Sequence, residues 1–186
     1  MNKTTVLISG LLFLLVLVFL IQKTMQEKNI AVNSDLKNLT KIEVRSFAFK
    51  NTETIPQKYT CDGDNIMPPI EISNVPKEAK SLAFIIEDPD ASYGTWDHLV
   101  MWNLPAENFN IEEGKLPVGT TGIGSSGSIN YEGPCPPKGK LHRYFFNLYA
   151  LDTLIKIPIG SEKDKLIEAM EGHIIGKGEM YGTYSR

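Results

Sequence analysis

The sequence predicts a mainly β domain that follows an apolar N-terminal segment. Two observations lead to this class. The longest apolar stretch, residues 6–21, lies near the start of the 186-residue chain, and the remainder contains short apolar and aromatic runs separated by turn-forming residues. Runs of this kind are typical of buried strands, and only one stretch near the C-terminus has the apolar spacing of a helix.

The N-terminal segment predicts membrane attachment. Residues 6–21 are apolar except for Ser9 and Gly10. As a helix of ~1.5 Å per residue the segment would extend about 24 Å, which is short of a ~30 Å hydrocarbon core. No A-x-A cleavage pattern follows it, so residues 1–28 are interpreted as an uncleaved signal anchor, with a cleaved signal peptide as the alternative.

Composition divides the rest of the chain into a polar tether, residues 29–40, and a domain, residues 41–186. The domain's length suits a single core of ordinary size. Because a domain behind one N-terminal anchor is most often exported, we expect it outside the cytoplasm, membrane-anchored or secreted after cleavage. A net charge of −3 offers no basic footprint for nucleic acid, which we exclude as a partner.

Five segments of the domain predict strands. They are residues 41–47, residues 82–86, the run after His98, residues 142–151 and residues 174–184. The first and last alternate along the chain as half-buried strands do, and the middle three are continuously apolar or aromatic.

A short helix is predicted between the last two strands. Ser161 followed by Asp164 resembles a capping box, and Gly172 supplies a stop. Its apolar stripe comprises Leu166, Ile167 and Met170. His173, at the end of this helix, is interpreted as a cation near a helix C-terminus and not as a ligand-binding group.

The most informative stretch is a proline-rich loop that runs into the aromatic strand. Prolines flank Cys135 on both sides, so residues 133–139 can form neither a helix nor a central strand. The strand that follows has a period of two, which puts His142 and Tyr144 on one face and Arg143 on the other. His142 and Tyr144 are therefore predicted as a pair of site residues.

Two more polar groups lie at strand ends. Asp88 follows the apolar residues 82–86, and His98 precedes the next apolar run. If the strands are antiparallel neighbours, the end of the first lies beside the starts of the other two. We therefore expect four side chains at one rim of a sheet: Asp88, His98, His142 and Tyr144.

These motifs resemble the phosphatidylethanolamine-binding protein family, and most closely its bacterial and archaeal Raf-kinase-inhibitor-like branch. The motifs are DPDAS, WDHLVMWNLP and GPCPPKGKLHRYFFNLYALD, with YTCDGDNIMPPIEI before them and GHIIGKGEMYGTYSR after them. The resemblance covers residues 42–186 in colinear order. It implies a Greek-key β-sandwich with one or two short peripheral helices and a small pocket for phosphate-like anions.

The resemblance also implies which residues form the pocket. They are Asp88, Asp90, His98, Gly133, Pro134, His142 and Tyr144. For Asp90 the alternative role is to hold its own loop, and for Tyr144 it is that of a core aromatic with its hydroxyl at the surface. Asp97 departs from the family pattern, because many relatives carry a second histidine or another residue there, and this departure affects the expected charge of the pocket.

We expect a non-catalytic binding module for phosphate-like anions or phosphoethanolamine-type head groups. Two imidazoles donate to a phosphate, whereas a neighbouring carboxylate attracts an ammonium group, so a zwitterionic head group suits the set best. If His98 and His142 both donate, binding should strengthen as the pH falls through ~6.5. The alternative is a protease inhibitor or kinase regulator that docks on a protein, and a hydrolase of a phosphorylated small molecule ranks third.

Other site classes have weak support. The G-x-G-x-x-G of Gly122, Gly124 and Gly127 lacks the flanking strand and helix of a dinucleotide site. No short-spaced ligand pair indicates zinc, and nothing nearby lowers the pKa of the Cys135 thiol for a catalytic pair with a histidine. We expect no cofactor and no metal. Cys61 and Cys135 are predicted to stay unlinked, with a disulfide as the alternative.

Overall fold

The computed structural model describes residues 39–186 and, before them, Val18, Gln22 and Lys23. The predicted anchor, residues 1–28, and tether, residues 29–40, lie almost wholly outside the described residues. Among the residues that are described, no helix is long and apolar enough to span a bilayer.

In residues 39–186, nine strands form two sheets. The strands are β1 (Thr40–Lys41), β2 (Glu43–Ser46), β3 (Ile70–Ser73), β4 (Ser81–Asp88), β5 (Trp96–Leu104), β6 (Phe109–Ile111), β7 (Thr120–Thr121), β8 (Leu141–Leu151) and β9 (Ile174–Ser185). The large sheet has the order β1-β9-β8-β4-β5-β7, and the small sheet has the order β2-β3-β6. Neighbouring strands are antiparallel except for β1 and β9, which are parallel.

Both faces of strand β4, which lies between β8 and β5, are buried. Leu82, Phe84 and Ile86 belong to the core between the two sheets. Ala83 and Ile85 point to the opposite face, where helix α1 (Lys163–Met170) covers the large sheet. The continuous apolar sequence of β4 follows from this position, since a strand buried on both faces needs apolar residues throughout. The prediction of a mainly β domain with one helix is confirmed.

The helix occurs where it was predicted, but its cap and stripe differ. The hydroxyl of Ser161 donates to the carbonyl of Pro158 at 2.7 Å, and Glu162 occupies the N-cap without a side-chain bond, so the capping box was wrong. Leu166 and Met170 are fully buried against the sheet, whereas Ile167 is 39% exposed. The stripe is narrower than predicted because only Leu166 and Met170, four residues apart, form the buried row that packs against the sheet.

A β-bulge in β5 sets the position of His98. Ile86 pairs with Leu99, but the next residue of β4, Glu87, pairs with Asp97, so His98 is an extra residue on β5. In a bulge, two residues oppose one residue of the partner strand, and the strand bends locally. His98 is thereby aligned with the end of β4, while Leu99 stays in the core between the sheets.

Candidate functional site

A cavity of about 650 Å³ opens where β4 ends and where β5 and β8 begin. Of the seven residues predicted for the pocket, four line it: Asp88, His98, Gly133 and His142. Asp90, Pro134 and Tyr144 do not line the cavity, but each contacts a residue that does. The antiparallel pairing of β4 with β5 and β8 brings these strand ends together, as expected.

The centre of the site is a buried pair formed by Asp88 and His142. His142 Nδ1 donates to Asp88 Oδ2 at 2.7 Å, and the two side chains are only 6% and 8% exposed. The other carboxylate oxygen, Asp88 Oδ1, accepts the backbone N–H of Asp90 at 2.8 Å. Because the carboxylate fixes the proton on Nδ1, the second ring nitrogen of His142, Nε2, is the one left for a ligand.

We expected His98 to donate a hydrogen bond to a ligand, but its ring donates to the protein backbone instead. Its Nδ1 donates to the backbone carbonyl of Glu132 at 2.7 Å, and its Nε2 is buried with no hydrogen-bond partner in the described part of the chain. Burial lowers the pKa of His98, because desolvation disfavours the imidazolium. Near neutral pH His98 is therefore a neutral ring whose unpartnered Nε2 can accept a hydrogen bond, so His98 does not supply one of the two cationic donors behind the predicted pH dependence.

Tyr144 packs against His98 from the core. The two rings meet edge to face with centroids 5.3 Å apart, and Tyr144 is 1% exposed. Its hydroxyl lies close enough to Asp88 to interact with the carboxylate, but no hydrogen bond of normal geometry joins it to a described residue. Burial raises the pKa of Tyr144, and the nearby Asp88 carboxylate raises it further, so the hydroxyl stays protonated. Tyr144 thus occupies the core, as in its alternative role, but its hydroxyl is buried and not at the surface.

Asp90 faces Arg143 and not the cavity. Asp90 Oδ2 accepts from the backbone N–H of Arg143 and from Arg143 Nε, both at 2.9 Å, and Oδ1 accepts from Nη2 at 2.7 Å. These hydrogen bonds from Arg143 lower the pKa of Asp90. The side chain of Asp90 therefore fixes the loop after β4, and its backbone N–H holds the carboxylate of Asp88.

Gly133 and Pro134 shape the wall through their backbones. Gly133 N–H donates to Asn65 Oδ1 at 2.8 Å, and the carbonyl of Pro134 accepts the N–H of Cys61 at 3.1 Å. A Cβ atom at Gly133 would lie 2.3 Å from the carbonyl oxygen of Tyr59, so only glycine fits this close approach. The loop of residues 59–65 and the loop of residues 133–135 therefore contact each other through their backbones.

Cys61 and Cys135 form a disulfide that lines the cavity. Our prediction of unlinked cysteines was wrong. The backbone contacts between the two loops bring the Cα atoms to 5.4 Å, which is within the range that a disulfide spans. The disulfide also removes the thiolate that a Cys135–histidine catalytic pair would need.

Asp97 lies outside the cavity. It shares a face of the sheet with Glu87, and Lys163 of α1 forms ion pairs with both carboxylates, at 2.5 Å to Asp97 and 2.7 Å to Glu87. The departure from the family pattern at this position therefore adds no carboxylate to the cavity lining, and the charge of Asp97 has only a minor effect on His98, whose pKa is lowered overall by burial. No group of three or more His, Cys, Asp or Glu side chains within the described residues is arranged to hold a metal ion.

Sequence reasoning missed many of the residues that line the cavity, among them Asn65, Tyr93 and Trp96. Tyr93 is fully exposed and Trp96 is 41% exposed. For Tyr93 the available signal was its place in an uncharged loop, residues 91–95, shortly after Asp88, whereas Trp96 is the first residue of β5. Asn65 had no comparable signal, since its partner Gly133 lies 68 residues away.

Comparison with known proteins identifies the family. A model of the family described as phosphatidylethanolamine-binding protein matches residues 45–185. Among curated proteins, a UPF0098 protein of Methanothermobacter thermautotrophicus is 46% identical over 151 residues, covering 78% of this chain and 99% of the relative. A UPF0098 protein of Pyrococcus abyssi is 43% identical over 76% of this chain and 84% of its own length. Neither name states an activity.

Two solved structures agree with this result. CT736 from Chlamydia trachomatis, described as a homologue of phosphatidylethanolamine-binding protein, is 42% identical with a TM-score of 0.75 over 80% of this chain and 99% of its own. YbcL from E. coli, described as a member of the mammalian family, is 30% identical with a TM-score of 0.71 over 78% of this chain and 98% of its own. The chain belongs to the phosphatidylethanolamine-binding protein family and has its fold.

Proposed function

We propose that the domain is a non-catalytic binding module whose cavity holds a small head-group-type molecule of mixed charge, of the phosphoethanolamine class. One observation carries the proposal: the buried Asp88–His142 pair and the unpartnered Nε2 of His98 lie together at a cavity. A buried polar atom without a partner costs free energy, and a polar ligand that pairs with it recovers that cost. A volume of about 650 Å³ suits a small molecule and leaves the acyl chains of a lipid outside.

The cavity wall supports a ligand of defined shape. Pro136, Pro137 and the Cys61–Cys135 disulfide line one side of the cavity. Proline has a fixed φ, and the disulfide ties the two loops together, so little conformational freedom is left for a ligand to remove. A preorganised wall of this kind lowers the cost of binding.

The contacts of the two imidazoles favour binding over catalysis. Within the described residues, His98 bonds to a backbone carbonyl and His142 to a carboxylate, and neither bonds to a hydroxyl or thiol. Nucleophilic catalysis requires a nucleophile within reach of its base. A hydrolase of a phosphorylated small molecule remains the third candidate, and it would be recognised by product formation.

A thermal-shift screen of the domain tests the proposal. Phosphoethanolamine should raise the Tm, because a ligand that binds only the folded state at a hundredfold excess over its Kd stabilises that state by about 2.7 kcal/mol. Inorganic phosphate and short-chain lipids complete the screen, and phosphate release is measured in the same samples to detect hydrolysis. No shift with any of these compounds would contradict the proposal.

The second candidate is a protease inhibitor or kinase regulator that acts by docking on a protein. Its support is the exposure of Tyr93 and Trp96 at the mouth of the cavity, because aromatic side chains are enriched at protein interfaces. Under this candidate, Tyr93→Ala should weaken inhibition in a protease and kinase panel while the thermal shift by phosphoethanolamine persists. Absence of inhibition by the wild type would remove this candidate.

We also propose that the domain works outside the cytoplasm, attached to the membrane by residues 1–28. The Cys61–Cys135 disulfide supports this location, since disulfides persist mainly in oxidising compartments. Fractionation should retain the full-length chain in the membrane, and protease added outside wall-free cells should digest the domain. A soluble product that begins between Gln22 and Ser34 would instead show a cleaved signal peptide and a secreted domain.

A further inference from the structure

We propose that Lys163 is a positioning residue of the site: from helix α1 it holds the end of β4 to the start of β5 and so keeps His98 in its bulge. Lys163 does not itself line the cavity. Only the affinity readout of this inference rests on the proposed function, because the other readouts need no ligand.

The place of His98 depends on the bulge in β5. Val100 and Trp102 belong to the core under α1, so simple alternation would put His98 on the same face of the sheet. The ring of His98 instead packs against Tyr144, which belongs to the core between the two sheets. The two-against-one pairing of a bulge permits this change of face. Whatever holds the bulge therefore also holds His98.

Two carboxylates face each other where the bulge occurs. Glu87 pairs with Asp97 across β4 and β5, and both side chains reach Lys163 of α1. Like charges directly opposite each other in an antiparallel pair are destabilising. The side chains of Glu87 and Asp97 are only 26% and 15% exposed, so water and salt screen their repulsion poorly. Without a cation between them, the two strand ends would repel each other.

Lys163 supplies that cation. Its Nζ lies 2.7 Å from Glu87 Oε2 and 2.5 Å from Asp97 Oδ1. Asp97 Oδ1 is buried and accepts no hydrogen bond of normal geometry from a described residue, so the ion pair with Lys163 is the contact that offsets its charge. Burial raises the pKa of Asp97, and Lys163 acts against this rise.

The two carboxylate residues are each fixed to a different part of the fold. Glu87 Oε1 accepts from Asn147 Nδ2 of β8 at 3.0 Å. The backbone N–H of Asp97 donates to Ser125 Oγ at 2.8 Å, and its carbonyl accepts the Ser125 N–H at 3.0 Å. Lys163 joins these two groups, so it links β4 to β5 at the residues directly before the two site residues of those strands.

The position of Lys163 in its helix also favours this role. It is the first residue of α1, where the helix dipole disfavours a cation. A residue that contradicts a local preference is expected where a tertiary contact or a function requires it. The two carboxylates of the sheet provide that contact.

NMR of the histidine ring nitrogens in the protein tests the inference without a ligand. In wild type near neutral pH, His98 should carry its proton on Nδ1, and its pKa should lie below 6.5. The charges of Asp88, Glu132 and Asp97 each raise this pKa, whereas burial lowers it more strongly. In Lys163→Met we expect a mixture of tautomers and a pKa that rises towards 6.5, because His98 becomes less buried.

A matched control and a rescue variant separate charge from packing. Lys165→Met makes the same change at an exposed position two residues further along α1 and should leave the tautomer and pKa of His98 unchanged. Asp97→Asn combined with Lys163→Met removes both members of the ion pair, so the repulsion from Glu87 disappears. This double variant should return the tautomer and pKa of His98 to those of wild type.

Calorimetric titration of phosphoethanolamine adds a binding readout. Lys163→Met should weaken binding about three- to tenfold, the range expected for coupling within one ion-pair network. The double variant should recover most of this loss, and Lys165→Met should bind as wild type does. If wild type does not bind phosphoethanolamine, the proposed function fails, and the NMR comparison still decides the role of Lys163.

Two results would overturn the inference. One is a Lys163→Met protein in which His98 keeps the wild-type tautomer and pKa. The other is a double variant that restores neither, because Lys163 would then act through the packing of its side chain and not through charge. If Lys163→Met is unfolded, the double variant decides: a folded double variant with the wild-type tautomer supports the inference, and an unfolded one overturns it.

Discussion

The chain contains two Asp–His pairs with nearly the same geometry in very different surroundings. His142 Nδ1 lies 2.7 Å from Asp88 Oδ2, with side chains 8% and 6% exposed, and His173 Nδ1 lies 2.8 Å from Asp152 Oδ1, with side chains 46% and 48% exposed. The first pair lines a cavity, and the second lies at the surface. A short hydrogen bond therefore does not mark a binding site by itself, and burial beside a cavity is what makes the first pair the candidate.

The surface pair also shows what His173 does. It follows the helix, as predicted, but its Nδ1 bonds to the side chain of Asp152 after β8. Water competes with and screens an exposed pair of this kind, so the pair contributes little to stability. The buried pair is far less exposed to water, so its two groups depend on one another more strongly.

Removal of the buried carboxylate should have the largest effect. Asp88→Ala leaves His142 and the Asp90 N–H without their partner, and breaking a buried pair costs about 3–5 kcal/mol. Asp152→Ala breaks the exposed pair and should cost about 0–1 kcal/mol. Urea unfolding followed by tryptophan fluorescence measures both free energies. Equal losses would show that burial does not distinguish the pairs.

Loss of the disulfide should have a comparable effect on stability. The double variant Cys61→Ser, Cys135→Ser opens a loop closed across 74 residues, which is worth about 4 kcal/mol in the chain-entropy model. Because the disulfide lines the cavity, the double variant should also weaken phosphoethanolamine binding. Substitutions in the surface pair should leave that binding unchanged. Unfolding of wild type in reductant should reproduce the stability of the variant. Unchanged stability and affinity would show that the disulfide supports neither the fold nor the site.

The buried ring of His98 should make stability depend on pH. Its pKa in the folded state is lowered below 6.5 by burial, so the unfolded chain binds the proton first as the pH falls. Stability is therefore fully present above about pH 6.5 and declines as the pH falls through the window between the unfolded and folded pKa values. His98→Asn keeps an N–H for the Glu132 carbonyl and cannot titrate. Its free energy of unfolding should fall less steeply than that of wild type between about pH 7 and pH 5, and a steeper fall would contradict this role.

Asp90 should have the smallest effect on binding. Its carboxylate is held by Arg143, so Asp90→Asn should change phosphoethanolamine affinity by only about twofold, the size expected for a substitution away from the site. Calorimetric titration beside Asp88→Asn makes the comparison. A tenfold loss in Asp90→Asn would return this residue to the ligand-binding set.

Part of this account could be predicted from local sequence. Two strands were predicted because their residues are apolar or aromatic, as buried strands require. The apolar run that ends at Asp88 forms β4, and the aromatic run that begins at His142 forms β8. Alternation along β8 correctly put His142 and Tyr144 on one face, because the period of a strand is a property of the backbone.

The rest depends on partners that are distant in sequence. His98 aligns with the site through a bulge that exists only when β5 pairs with β4. Cys61 meets Cys135 across 74 residues, so their linkage could not be read from either motif alone. Ser161 resembled a helix cap, but a nearby carbonyl, that of Pro158, takes its hydroxyl instead. In each case a tertiary contact decided between two locally acceptable arrangements.

The most direct test of the central claim is a calorimetric titration of phosphoethanolamine against wild type, His142→Ala and His173→Ala. His142→Ala removes the imidazole at the cavity, and the loss of a charge-assisted hydrogen bond, ~1.5–3 kcal/mol, should weaken binding about ten- to a hundredfold. His173→Ala makes the same change in the surface pair and should bind as wild type does. Equal affinities for all three proteins would contradict the assignment of the buried pair as the binding site.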